Sequence, residues 1–119
     1  MKHFHVLAPA LLLAAPGAAQ QAQPSPTLEH RMLLRCSAAF ALVANRQAAG
    51  DAEALRFPPL GVRGKEYFAR ASARVMDEAH LDRAGIAQAL ETEARALVQG
   101  GGLAAIMPVC LSALEASEK

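Results

Sequence analysis

Cysteine is scarce in this sequence: there are two residues, Cys36 and Cys110, and no Cys-x-x-Cys pair. Redox catalysis wants such a pair at a helix start, so that chemistry is excluded, and so is covalent haem attachment, which needs Cys-x-x-Cys-His. Charge of either sign is also lacking in excess: twelve Lys and Arg face eleven Asp and Glu, the basic residues scattered singly. Neither nucleic acid nor an anionic membrane surface is indicated, because both would want a basic stripe. Long apolar runs are missing beyond the N-terminus. An uncharged stretch there, Cys36 to Asn45, is half a membrane span, and no stable membrane insertion is expected. Val, Ile and Thr are scarce after residue 20 whereas 28 of the 119 residues are Ala, so local propensity favours helix almost throughout.

The N-terminus indicates the compartment. Lys2 and the free amine precede an apolar run from Val6 to Ala15, and Pro16-Gly17-Ala18-Ala19 supplies a breaker followed by small residues, the pattern of a cleavable signal peptide. Cleavage after Ala19 leaves a mature chain of 100 residues beginning at Gln20, enough for one domain with one modest core. Export to the periplasm is expected. A lipid anchor is not, because Cys36 does not directly follow the signal. Residues 20–27 read as a flexible leader and residues 28–119 as a single helical domain.

Spacing predicts an all-α, small four-helix bundle, up-and-down or orthogonal, with helices over about 28–49, 60–79, 83–99 and 103–116. Thr27 is the expected N-cap of the first helix, whose stripe is Leu28, Met32, Cys36, Phe40, Val43 and Gln47, with Gly50 as its stop. Asp51 caps a short turn before Phe57-Pro58-Pro59, which forces an extended connection. The second stripe is Leu60, Gly64, Tyr67 or Phe68, Ala71, Val75 and Ala79, and Gly61 and Gly64 either offer another helix a close approach or mark a frayed helix end. Asp82 caps the third helix, with Ile86, Leu90, Ala94, Leu97 and Val98 inward and Gly100-Gly101-Gly102 as its end. Leu103, Ile106, Met107, Cys110 and Leu114 line the fourth, where Pro108 is expected to kink or restart the helix. Both cysteines therefore fall on apolar faces of an exported protein, which predicts a Cys36–Cys110 disulfide contributing roughly 4 kcal/mol through loop-closure entropy.

Candidate chemistry is sparse. Asp77-Glu78-Ala79-His80 spells a helicase motif, but the nearest upstream loop, Gly61 to Glu66, has the wrong glycine spacing and a Glu where a Ser or Thr must meet magnesium. Glu91 and Glu93 are two apart, which on a helix points them to different sides. Ser37 lacks a Gly-x-Ser-x-Gly elbow. The triglycine follows a helix instead of opening one, so it is a stop and not a phosphate cradle. His30 and His80 read as helix-surface or helix-end residues, and Met32, Met76 and Met107 as core filler in preference to haem ligands. No catalytic residue, cofactor site or metal site is assigned.

The segments "RCSAAFALVA", "FPPLGVRGKEYFARASARVMDEAHLD" and "PVCLSALE" together resemble a group of short exported helical proteins of alanine-rich proteobacteria, over most of residues 35–115. The resemblance implies a periplasmic location, a helical fold and a paired cysteine, and implies no activity. Size, helical content and one disulfide also make the chain similar in architecture to periplasmic acid-stress chaperones. The expectation is a non-enzymatic, partner-binding or stress-related periplasmic module, monomeric or weakly dimeric, with an unknown protein partner. The alternative is a small-ligand, haem or metal carrier using the bundle interior.

Overall fold

The computed structural model describes residues 26–119. The predicted signal peptide, residues 1–19, and most of the 20–27 leader lie outside the described residues. Four helices follow, α1 (Leu28–Ala48), α2 (Arg63–Glu78), α3 (Arg83–Gln99) and α4 (Leu103–Ser117), with a short 3-10 turn (Ala54–Arg56) between the first two and no strand among the described residues.

Local chemistry sets most of these boundaries. The Thr27 hydroxyl accepts the N–H of His30 to open α1, and the Asp82 carboxylate accepts that of Gly85 to open α3. At the far end of α1, Gly50 takes φ +78° while its N–H reaches the Gln47 carbonyl and that of Asp51 reaches Arg46, a Schellman closure that needs a left-handed residue. Helix α3 ends in the same way over Gly101, at φ +66°, with Gly102 N–H on Leu97. Helix α2 does so without glycine. His80 occupies the left-handed position at φ 54°, and Leu81 N–H returns to Met76.

Two boundaries differ from the sequence expectation. Helix α2 begins at Arg63 and not near Leu60, because Pro58 and Pro59 hold the chain extended up to Leu60, whose N–H is taken by the Gln47 side-chain oxygen at 3.0 Å. Gln47 was placed on an apolar stripe, yet it organises this connection: its amide nitrogen is shared among the carbonyls of Ala54, Phe57 and Pro58. Helix α4 is continuous through Pro108, with no restart.

Side-chain pairings fix the directions. Gly64 lies against Phe40 and Glu78 against His30, so α2 is antiparallel to α1. Ile86 packs with Leu34, and Leu97 shares a hollow with Val43, so α3 runs parallel to α1. Cys110 bonds to Cys36 while Ser117 neighbours Leu33, so α4 is again antiparallel. The result is an up-and-down bundle in which α1 touches all three other helices, whereas α2 and α3 meet each other only sparingly.

This central position explains the burial of α1. Five consecutive residues, Cys36, Ser37, Ala38, Ala39 and Phe40, are each at most 3 % exposed, a pattern expected of a helix covered on every side. The single predicted stripe was too narrow: Leu34 is buried although it lies off that stripe, and Leu28, which lies on it, is exposed. Gly64 meets the expected close approach, since a Cβ built there would stand 3.0 Å from that of Phe40; Gly61 faces open space. Val98 was expected inward and is exposed, because Leu97 takes the inward direction at the end of α3.

The core divides in two. The larger cluster joins Cys36, Phe40, Val43, Leu60, Tyr67, Met107, Cys110 and Leu114, with the Phe40 and Tyr67 rings edge to face at 5.2 Å. The smaller, Leu34, Val75, Ala79 and Ile86, lies where the α2–α3 connection meets the first half of α1.

Candidate functional site

Cys36 and Cys110 face each other from the middles of α1 and α4 with Cα atoms 5.1 Å apart, and their sulfurs are paired as a disulfide. Both are almost fully buried, so the pair is a staple inside the larger core and offers no thiol to a substrate or metal.

His30 meets the helix-end half of the sequence expectation and not the surface half. It is buried, and sits at the third position of α1, where its Nδ1 accepts the Thr27 N–H at 3.2 Å. A ring nitrogen that accepts carries no proton, so Nε2 holds it and donates to the Glu78 carboxylate at 2.6 Å. With both nitrogens engaged, the ring cannot ligate a metal or act as a general base unless one of these bonds is given up. Glu78 in turn receives Arg74 at 2.8 Å, and Arg74 reaches Glu29 at 2.8 Å, closing a four-residue polar network between the start of α1 and the end of α2. The Arg74 guanidinium, and then the His30 ring, hold the Glu78 carboxyl below the usual carboxylate range. His80 is exposed and lies outside this network.

The other candidates disperse. Glu91 and Glu93 do point apart: Glu91 bonds Arg95 on the surface, and Glu93 turns inward to Arg35 at 2.9 Å. The burial of Glu93 was readable in principle, since it continues the Ile86, Leu90, Leu97 face. Ser37 is fully buried and donates to the Leu33 carbonyl of its own helix. Met107 is fully buried, while Met32 and Met76 are half-buried. Among the described residues, no three His, Cys, Asp or Glu side chains come together in a group able to hold a metal ion, and no helix is long and apolar enough to cross a membrane.

The chain matches no known protein family, no curated protein and no solved structure. Its own surface is therefore the source of functional argument. Two hollows stand out. Because α2 and α3 flank α1 with little mutual contact, a trough remains between them. Its floor is Ala38, Ala41 and Leu42 and its walls are Phe68 and Leu90 with Ala94, enclosing about 370 Å³ of almost wholly apolar lining. It adjoins a hollow of about 220 Å³ that shares Ala41 and Phe68 and ends at Lys65. The second, of about 160 Å³, lies at the C-terminal end of α1, where Val43 and Arg46 meet the 51–57 connection and the start of α4.

Proposed function

We propose that this protein is a small, exported, non-enzymatic binding module of the periplasm, and that the trough between α2 and α3 takes the apolar face of an amphipathic helix from a partner protein. The trough is the observation that carries this reading. From Ala38 to Asn45 its floor runs about 10 Å, two helical turns, which suits three anchors spaced as i, i+3 or i+4, and i+7. Alanines on the floor let a foreign backbone come close, and Phe68 and Leu90 rise on either side.

The occupant follows from shape and charge. Two copies of this chain meeting through their troughs would oppose two concave faces, so an isologous dimer is disfavoured and a convex single helix is favoured. Lys65 stands at the margin outside every ion pair found among the described residues, whereas Glu91 on the opposite wall is already bound by Arg95. A partner helix with an acidic flank toward α2 is complementary to that edge. Signal-peptide chemistry and a buried disulfide support export, and the absence of any assembled nucleophile, base and acid from the candidates above supports a binding role.

Site-specific photocrosslinking from position 41 in living cells tests the reading. The expected result is an adduct with an exported protein whose crosslinked peptide shows helical apolar spacing, abolished by Phe68→Ala and absent when the crosslinker is moved to the exposed Ala87. Adducts formed equally from both positions, or only between copies of this chain, overturn it. N-terminal sequencing of the mature protein checks the export step, with Gln20 as the expected first residue.

A further inference from the structure

The hollow at the end of α1 is separate from the trough and differs in character. Its inner surface is apolar: Val43, Leu97 and Leu103 are buried and Phe57 half-buried. Its rim is not. Arg46 brings a guanidinium from the last turn of α1, and Asp51 and Glu53 bring carboxylates from the connection that follows. None of the three belongs to any of the ion pairs formed among the described residues, so both signs of charge are left available at one opening.

The wall that carries these charges is built, not slack. Asp51 spends one carboxylate oxygen on the Ala54 N–H at 2.9 Å, and Gln47 grips the carbonyls of Ala54, Phe57 and Pro58, holding Phe57 against the floor. On the opposite side Leu103 and Ala104 are the first residues of α4, whose N-cap, Gly102, has no side chain to place in the opening. A cavity of about 150 Å³ lined by aliphatic and aromatic groups accepts a molecule the size of benzene, so about 160 Å³ here limits the apolar part of a ligand to roughly six heavy atoms, which leaves room for a branched aliphatic side chain. That is too small for a drug-sized ligand or a haem.

We propose that this hollow binds a free α-amino acid with a medium-sized apolar side chain, of the leucine class. The side chain enters between Val43, Phe57, Leu97 and Leu103, the carboxylate pairs with Arg46, and the ammonium is received by Asp51 and Glu53. A peptide terminus presents only one of these two charges beside its apolar side chain, so a rim that supplies partners for both favours the free amino acid.

Titration of ¹⁵N-labelled protein, followed by amide shifts, decides this with L-leucine, N-acetyl-L-leucine, L-leucinamide, glycyl-L-leucine and L-leucylglycine as probes. The expected result is saturable shifts for L-leucine confined to residues 43–57 and 97–104, with each blocked or peptide-linked probe at least about tenfold weaker. Arg46→Met should weaken L-leucine by about the same factor while leaving the remaining spectrum unchanged. Absence of saturable shifts, equal binding of N-acetyl-L-leucine and L-leucinamide, or an Arg46→Met variant that binds L-leucine normally would each overturn the proposal. Equal binding of either dipeptide would overturn it in favour of a peptide end.

Discussion

Two regions of the bundle are held by different physics. Around Cys36 and Cys110, α1, α2 and α4 enclose a large apolar cluster with a covalent bond through it, and the interior side chains Phe40, Leu60, Met107 and Leu114 are almost without exposure. Around His30, the first turns of α1 meet the last turn of α2 over four buried apolar residues, and above them runs a chain of hydrogen bonds from Thr27 through His30, Glu78 and Arg74 to Glu29. A bond buried among aliphatic groups is insensitive to pH and salt, whereas exposed ion pairs are weakened by both. The contrast teaches that one small domain can hold regions that answer to different perturbations, reduction in one and acid in the other.

The largest predicted effect breaks the strong region. Replacing both cysteines with alanine should cost roughly 4 kcal/mol, by loop-closure entropy over a separation of 74 residues, and appear as a large fall in the denaturation midpoint. A shift below about 1 kcal/mol would mean that apolar packing alone holds that region. Next, Leu34→Ala removes the largest fully buried side chain of the smaller cluster, and a loss of about 3 kcal/mol is expected in chemical denaturation. Hydrogen exchange on this variant should show the first turns of α1 and the α2–α3 connection opening ahead of the disulfide seam.

A smaller change strengthens the weak region. His80 holds a left-handed conformation without a glycine's freedom, so His80→Gly should stabilise the fold by about 0.5 to 1 kcal/mol in the same assay. The subtlest test uses acid. Glu78 has a folded pKa depressed by Arg74 and then by His30, so its contribution is present above the ordinary carboxylate value and is lost as pH falls through the depressed one. The melting temperature should therefore drop on acidification below about pH 4, less steeply in Glu78→Gln than in the natural chain. Parallel acid limbs for the two proteins would remove Glu78 from the account. Glu118, depressed by Arg63, serves both as a common background.

Much of the fold was legible because caps and breakers are local. Thr27, Gly50, Asp82 and the triglycine mark their boundaries by residue type, and the α2 stripe from Leu60 to Ala79 is buried as its spacing implies. What was not legible depends on where a helix sits relative to its neighbours. No periodicity in α1 announces that a third helix covers it, so the burial of Leu34 was missed. His30 closes a capping box in which glutamate or glutamine is the familiar third residue, and its partner Glu78 lies 48 positions away. The trough was equally hidden, since it exists through the spacing of α2 and α3 and not through any motif. The paired cysteines were the part of the candidate chemistry that the sequence marked correctly.

The bridge has one more consequence, which concerns topology. It joins residues 36 and 110, so all three interhelical connections, including the exposed stretch after α1 and the triglycine, lie within a single covalent ring. A protease that nicks any one of them produces two peptides that remain one molecule, still clasped at the centre of the bundle. Only residues before Cys36 and after Cys110 can be trimmed away, and a nicked protein should separate into two pieces only after reductant is added.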